Sequence, residues 1–285
     1  MPFYRLVSFF KRAYLAMPTF ENQCVVVTGA SSGIGRALCL ELASQRPKLV
    51  LAARDNAALE EVSQACQRLG AETLIVPTDV AQPDDCRRLM EAAAERFNGI
   101  DTLVNNAGIA AWARFAEVDD LGIFDRVMRV NYLGTVYCTH FALPHLRQSR
   151  GRLVIVASVA GLVSSPMYSA YAPTKAALFS FADALRIELL QENGCATVTV
   201  LAPDFVRSGI HQRAFDSHGQ ALGQTPWDES RFMTSEDCAK RMVRAMASRK
   251  RQAVLSWRGR QAPFAKAYVP WLLDRIVARV TRDWK

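Results

Sequence analysis

At 285 residues, half of them apolar and 22% charged, the chain carries enough hydrophobic material for one sizeable core and is too apolar to be disordered. Seven scattered cysteines without a C-x-x-C pair and four unclustered histidines argue against a disulfide framework or a metal site, and read as reduced thiols of a cytoplasmic protein. The net charge of +8 is uneven: residues 1–20 carry +3 and residues 241–285 carry +10, which leaves 21–240 at −5, and no finger, homeodomain or RNA-binding pattern accompanies the basic ends, so no nucleic-acid partner is expected.

Residues 1–20 set Phe3, Tyr4, Leu6, Val7, Phe9 and Phe10 among Arg5, Lys11 and Arg12. This apolar-basic segment is shorter than the ~20 apolar residues that span a bilayer, and its interspersed charges oppose a signal peptide. From residue 21 onward, short β-rich runs at 24–28, 49–53, 73–77, 101–105, 152–157 and 197–202 alternate with helix-like stretches at 33–46, 56–69, 84–97, 119–146 and 172–192. Strands that are apolar along their whole length need cover on both faces, which is the condition of a parallel sheet. The pattern predicts an α/β fold: one doubly wound domain over 21–260, its central sheet mostly or wholly parallel, with helices on both faces.

The first strand runs into Thr28-Gly29-Ala30-Ser31-Ser32-Gly33-Ile34-Gly35, and a helix starts at once. Glycines in such a turn let the backbone approach a diphosphate, whose charge meets the free N–H groups of the helix. The same residues also match G-x-S-x-G, the nucleophile turn of hydrolases, yet neither His211 nor His218 sits in a recognisable triad context. The second strand ends Ala53-Arg54-Asp55. An arginine here suits the 2′-phosphate of NADP(H), whereas a carboxylate suits the ribose hydroxyls of NAD(H); Asp55 is the natural cap of the following helix, so NADP(H) is expected.

Ser158 closes the fifth run, and thirteen residues later comes Tyr171-Ala172-Pro173-Thr174-Lys175. A spacing of four stacks the phenol and the ammonium on one helix face. A neighbouring positive charge favours the phenolate, so Lys175 is expected to lower the Tyr171 pKa and fit it for proton transfer with an alcohol oxygen that Ser158 holds. Tyr168 is a rival phenol without a lysine four residues on.

These pieces, with Asp79-Val80 after the third run, Asn105-Asn106-Ala107-Gly108 after the fourth, and Asn131, resemble the short-chain dehydrogenase/reductase family over about residues 21–260, in its NADP(H)-preferring, hydroxysteroid-dehydrogenase-like branch. The resemblance implies a Rossmann domain, often a dimer or tetramer. It implies Tyr171 as general acid/base, Ser158 as the group polarising the substrate carbonyl, Lys175 on the nicotinamide ribose and Asn131 on a relay water. Asp79 would meet the adenine, Val80 and Asn106 to Gly108 would flank the cofactor, and Pro203, Val206 and Ser208 would lie by the nicotinamide. One departure stands out: Asp204 replaces the glycine that commonly follows Pro203, which puts that turn in question.

Residues 209–233 correspond to the family's substrate lid. With Trp112, Ala113, Pro166, Met167, Tyr168 and Trp227 they suggest an apolar mouth for a steroid, retinoid or long-chain ketone, although these aromatics equally suit packing against each other. A 3-oxoacyl-thioester reductase and an idle NADP(H) sensor are the competing readings. Residues 261–285 combine Phe264, Tyr268, Trp271, Leu272, Ile276 and Val280 with Lys266, Arg275, Arg279 and Arg282. They predict a basic amphipathic helix that either touches an anionic membrane surface or packs on the enzyme or a second subunit.

Overall fold

Apolar runs that need cover on both faces receive it. β1 (Cys24–Thr28) and β5 (Arg152–Val156) are buried at every position, and successive residues of β1 feed opposite layers: Val25 and Val27 one, Cys24 and Val26 the other. The computed structural model describes residues 20–282. Its sheet joins β1 to β2 (Lys48–Ala53), β3 (Glu72–Pro77), β4 (Thr102–Asn105), β5 and β6 (Thr197–Ala202), and a last strand, β9 (Gln252–Val254), follows the small β7–β8 pair (Val206–Arg207 and Met233–Thr234). The seven strands run in the order β3-β2-β1-β4-β5-β6-β9, and every neighbouring pair is parallel.

Helices α1 (Gly33–Ala43), α2 (Asn56–Arg68) and α7 (Ser235–Ala247) fill one face. Helices α3 (Pro83–Phe97), α5 (Gly134–Gln148) and α6 (Tyr171–Gln191) fill the other. This is the doubly wound, wholly parallel arrangement expected from the sequence. The chain leaves β1 toward β2 and β3 and returns on the other side as β4, so a crevice opens between β1 and β4 at the carboxyl ends of the strands.

Two stretches depart from expectation. The single helix expected over 119–146 is α4 (Gly122–Met128) and α5 joined by a π-turn at Arg129–Leu133. The single C-terminal helix expected over 261–285 is two, α8 (Trp257–Tyr268) and α9 (Pro270–Val280). A proline disfavours helical backbone in the residue before it, and Val269 accordingly leaves the helix at φ −139°, ψ 54°. The expected apolar-basic segment at 1–20 lies, except for Phe20, outside the described residues. All seven cysteines are free thiols, six of them buried.

Candidate active site

The glycine turn sits in the crevice. Thr28, the last residue of β1, ties the two sides together: its hydroxyl accepts from the N–H groups of Asn106 and Ala107, both at 3.0 Å, and donates to the Val104 carbonyl at 3.4 Å. Asn106 returns a bond from Nδ2 to the Thr28 carbonyl at 2.9 Å, and buried Asn105 donates to the Thr139 hydroxyl at 3.0 Å. Two glycines are sterically required. A Cβ on Gly35 would fall 2.1 Å from the Gly29 carbonyl oxygen, and one on Gly33, whose φ is +53°, would fall 2.7 Å from the Ser208 carbonyl oxygen. Ser32 enters α1 in extended backbone without a side-chain cap, and the first turn of α1, which includes Ile34, holds no acid. The positive end of the helix is thus left to an anion.

At the outer end of the crevice Arg54 is exposed and, among the described residues, has no acidic partner. Asp55 is committed elsewhere: its carboxylate accepts from the Ala58 N–H at 3.1 Å and caps α2. Asp79 is held in a tight turn, with Oδ1 accepting from Ala81 N–H at 3.0 Å and its own N–H bonded to Asp85 at 3.0 Å; Val80 beside it is buried. An uncapped, acid-free helix end suits the diphosphate of a nicotinamide dinucleotide, and an exposed guanidinium stands beyond β2.

At the inner end, Asn131 is fully buried in the π-turn. Its Oδ1 accepts from Ile109 N–H at 2.9 Å, while Nδ2 donates to the Ile109 carbonyl at 2.9 Å and the Thr174 hydroxyl at 3.0 Å. Thr174 donates in turn to the Tyr171 carbonyl at 2.7 Å, which pins the first turn of α6 to Asn131. Asn131 Oδ1 and Lys175 Nζ both come up beside Gly108. Ser158, at the end of β5, accepts from Ala160 N–H at 3.1 Å, and its hydroxyl is hydrogen-bonded to the Tyr171 phenol.

Burial controls the proton affinities here. It pushes the Tyr171 phenol up to about 12, against the opposing pull of the Ser158 bond, and pushes Lys175 down to about 8. The Lys175 ammonium donates to the Val156 carbonyl at 3.0 Å and lies 5.8 Å from the Tyr171 ring centre. The expected lowering of the phenol is therefore corrected for the protein by itself: loss of water around the phenolate outweighs the Ser158 bond, and the phenol is raised. Tyr168, the rival phenol, is raised further by burial.

The mouth is aromatic. Trp112 meets Tyr168 edge-on at 4.9 Å and Trp227 at 4.3 Å, and Tyr168 lies 5.7 Å from the Tyr171 ring. Here the aromatics pack against one another, directly over the phenol. Met167 holds a strained φ of +72° and its carbonyl accepts from Ala113 N–H at 3.1 Å. After β6 the Pro203 carbonyl accepts from Val159 N–H at 2.9 Å, Val206 is buried in β7, and Asp204 accepts from the Ser256 hydroxyl at 2.7 Å. Asp204 thus serves a bond to the start of α8 at the place where glycine is common.

Three residues that matter to this geometry were not singled out from sequence: Thr28, Thr174 and Arg213. The first two sit inside recognisable motifs. Arg213 carries no local signal, because only folding brings its guanidinium from the segment after β7 to the Ser32 hydroxyl and the Ser208 carbonyl, both at 3.3 Å. There it can meet an anion on the glycine turn.

Residues 23–219 match the family model described as short chain dehydrogenase. An 11-beta-hydroxysteroid dehydrogenase of Pinus massoniana is 34% identical over 264 residues, covering 89% of this chain and 72% of its own. The 11-beta-hydroxysteroid dehydrogenase A of Sesamum indicum is 39% identical over 202 residues, 70% of this chain; the match spans only 57% of the sesame protein's length. Among solved structures, a short-chain dehydrogenase/reductase from Burkholderia phymatum in complex with NAD superposes with a TM-score of 0.78 at 27% identity, covering 89% of this chain and 95% of that one. An alcohol dehydrogenase from Thermococcus sibiricus complexed with 5-hydroxy-NADP shares the fold at a TM-score of 0.69 and 23% identity, over 81% and 95%.

Proposed function

The chain belongs to the short-chain dehydrogenase family, oxidoreductases of CH–OH and C=O groups, and from that premise we propose that it is an NADP(H)-dependent enzyme acting on the carbonyl or secondary alcohol of a hydrophobic substrate of steroid, retinoid or long-chain ketone type. The observation that carries the reading is the hydrogen-bonded Ser158–Tyr171 pair, with Lys175 buried beside it, beneath the aromatic cluster of Trp112, Tyr168 and Trp227. A nicotinamide dinucleotide held by the glycine turn Gly29–Gly35 and by Arg54 would supply or accept the hydride.

In reduction Tyr171 gives its phenolic proton to the substrate oxygen, and in oxidation it takes that proton back. Ser158 holds the same oxygen by a second hydrogen bond and keeps it in line with the phenol. Lys175 keeps a positive charge near the phenolate that forms, and Asn131 fixes the first turn of α6 through Thr174 so that phenol and ammonium hold their spacing. NADP(H) preference rests on exposed Arg54 and on the use of Asp55 as a helix cap. The same reading describes a cytoplasmic homo-oligomer, a dimer or tetramer, in peripheral contact with a membrane through its basic C-terminal helices.

NADPH oxidation measured across steroids, retinoids, long-chain ketones and 3-oxoacyl thioesters tests it. Turnover of one of the first three classes is expected; a protein inert to all, or active on thioesters alone, overturns the reading.

The pH dependence has a definite sign. Reduction needs a protonated phenol and a charged lysine, and both conditions hold below about 8, because the phenol keeps its proton to about 12. The reductive kcat/KM is therefore expected to be level at neutral pH and to fall as pH rises through about 8, where Lys175 loses its charge. Lys175→Arg keeps the charge and moves the falling limb upward. A wild-type profile that stays level well above that point would remove Lys175 from the proposed role.

A further inference from the structure

Arg213 is a cation held in place without a carboxylate. It is exposed and, among the described residues, has no acidic partner. Its bonds to the Ser32 hydroxyl and the Ser208 carbonyl are both 3.3 Å long and both leave Nη2, while Nε and Nη1 have no hydrogen-bond partner among the described residues. Two long bonds to neutral oxygens stabilise the fold little, and they leave most of the guanidinium fork open.

The place where this charge is held is informative. Ser32 precedes α1 without capping it, and the Ser208 carbonyl lies so close to Gly33 that a Cβ there would fall 2.7 Å from it. The guanidinium therefore stands at the positive end of α1, where a second positive charge is unfavourable until an anion lies between the two. Arg54 stands elsewhere, beyond the end of β2.

The segment that carries Arg213 also reaches the substrate mouth. Ala214 N–H donates to the His211 carbonyl at 3.1 Å, and the His211 ring meets Trp227 edge-on at 4.6 Å. Phe215 N–H donates to the Ala110 carbonyl at 2.9 Å, and its own carbonyl accepts from Trp112 N–H at 2.8 Å. One short stretch thus holds a guanidinium over the glycine turn and, two residues on, backs the chain that bears Trp112.

We propose that Arg213 binds the diphosphate of the dinucleotide, and that this bond fixes residues 208–215 and the aromatic wall they back when the glycine turn is occupied. The assignment rests on a nicotinamide dinucleotide at that turn but not on NADP(H) preference, because the diphosphate is common to both cofactors.

Binding measurements test it. NADPH and NADH are followed by their fluorescence, and ADP-ribose, which has the diphosphate but neither nicotinamide nor 2′-phosphate, by calorimetry. Arg213→Gln is expected to weaken all three ligands by about tenfold, the loss of a charge-assisted bond at an exposed site. Arg213→Lys, which keeps the charge without the fork, is expected to fall between the variant and the wild type. Arg231→Gln, which removes another exposed cation from residues 209–233, is the control and is expected to stay within about twofold. Loss confined to NADPH would place the guanidinium on the 2′-phosphate, and loss confined to the two nicotinamide ligands would place it away from the diphosphate; either overturns the proposal. So would ADP-ribose binding equal to wild type in Arg213→Gln, or an equal loss in the control. For the tie to the mouth, ADP-ribose is expected to slow hydrogen exchange at the Ala214 and Phe215 N–H groups in the wild type and not in Arg213→Gln; slowing that persists in the variant overturns the tie. A wild type that binds none of the three ligands overturns the dinucleotide reading and the role of Arg213 with it. A wild type that binds them through Arg213 but reduces no ketone overturns the enzymatic reading alone.

Discussion

Tyr171→Phe is expected to lower ketone reduction by on the order of a thousandfold while NADPH binding, followed by the cofactor's fluorescence, changes by no more than about twofold. The phenol lies under Tyr168 and is bonded to Ser158, and phenylalanine keeps the ring and removes only the oxygen. Ser158 is not orphaned by the change, because its hydroxyl also accepts from Ala160 N–H and reaches the Pro203 carbonyl at 3.5 Å. The fold therefore survives, and the melting temperature is expected to move by only a few degrees. A variant as active as the wild type would show that the proton travels by another group, and Tyr168 would be the next to replace.

Arg54→Glu is expected to shift the ratio of kcat/KM with NADPH to that with NADH by about a hundredfold toward NADH. A guanidinium forked onto a phosphate contributes about 1.5–3 kcal/mol, and the introduced carboxylate both repels the 2′-phosphate and accepts from a ribose hydroxyl. Arg54 is exposed and is not the residue that caps α2, so stability is expected to be unchanged. Replacing Asp55 instead would remove the cap at Ala58 and confuse a change of stability with a change of selectivity. A wild type that prefers NADH, or a variant with an unaltered ratio, would dissociate Arg54 from cofactor choice; exposed Arg36, in the first turn of α1, and Arg213, on the Ser32 hydroxyl, are further guanidinium groups at the glycine turn.

Much of the fold and of the candidate site was legible because it is local. Six of the seven strands of the main sheet are short apolar runs, and five of them are buried along most or all of their length, while β3, at the sheet edge, is only half-buried. The glycine turn is legible because a Cβ at Gly35 would strike the chain only six residues back, and Tyr171 and Lys175 share a face because four residues make one helical turn. Asp55 as a helix cap follows from its position just ahead of α2. The break between α8 and α9 was equally local, since Pro270 marks it, yet the continuous apolar-basic pattern hid it.

What only the tertiary structure decided are the contacts made between residues far apart in the chain. The sequence by itself determined which side chains could carry out proton transfer, but burial decided their proton affinities, and it reversed the expected shift of Tyr171. Strands β7, β8 and β9, of two, two and three residues, are too short to have a pattern and exist because neighbouring backbone pairs with them. Arg213 reaches Ser32 across 181 residues, and Asp204 reaches Ser256 across 52. Nothing in either neighbourhood announces these bonds, because a hydrogen bond needs only a donor and an acceptor within about 3 Å, and that proximity is the product of the whole packed chain. The basic charge of the C-terminus could be counted from sequence; its placement at the rim of the candidate active site came from the folding of α8 and α9 onto the segments that follow β5 and β6.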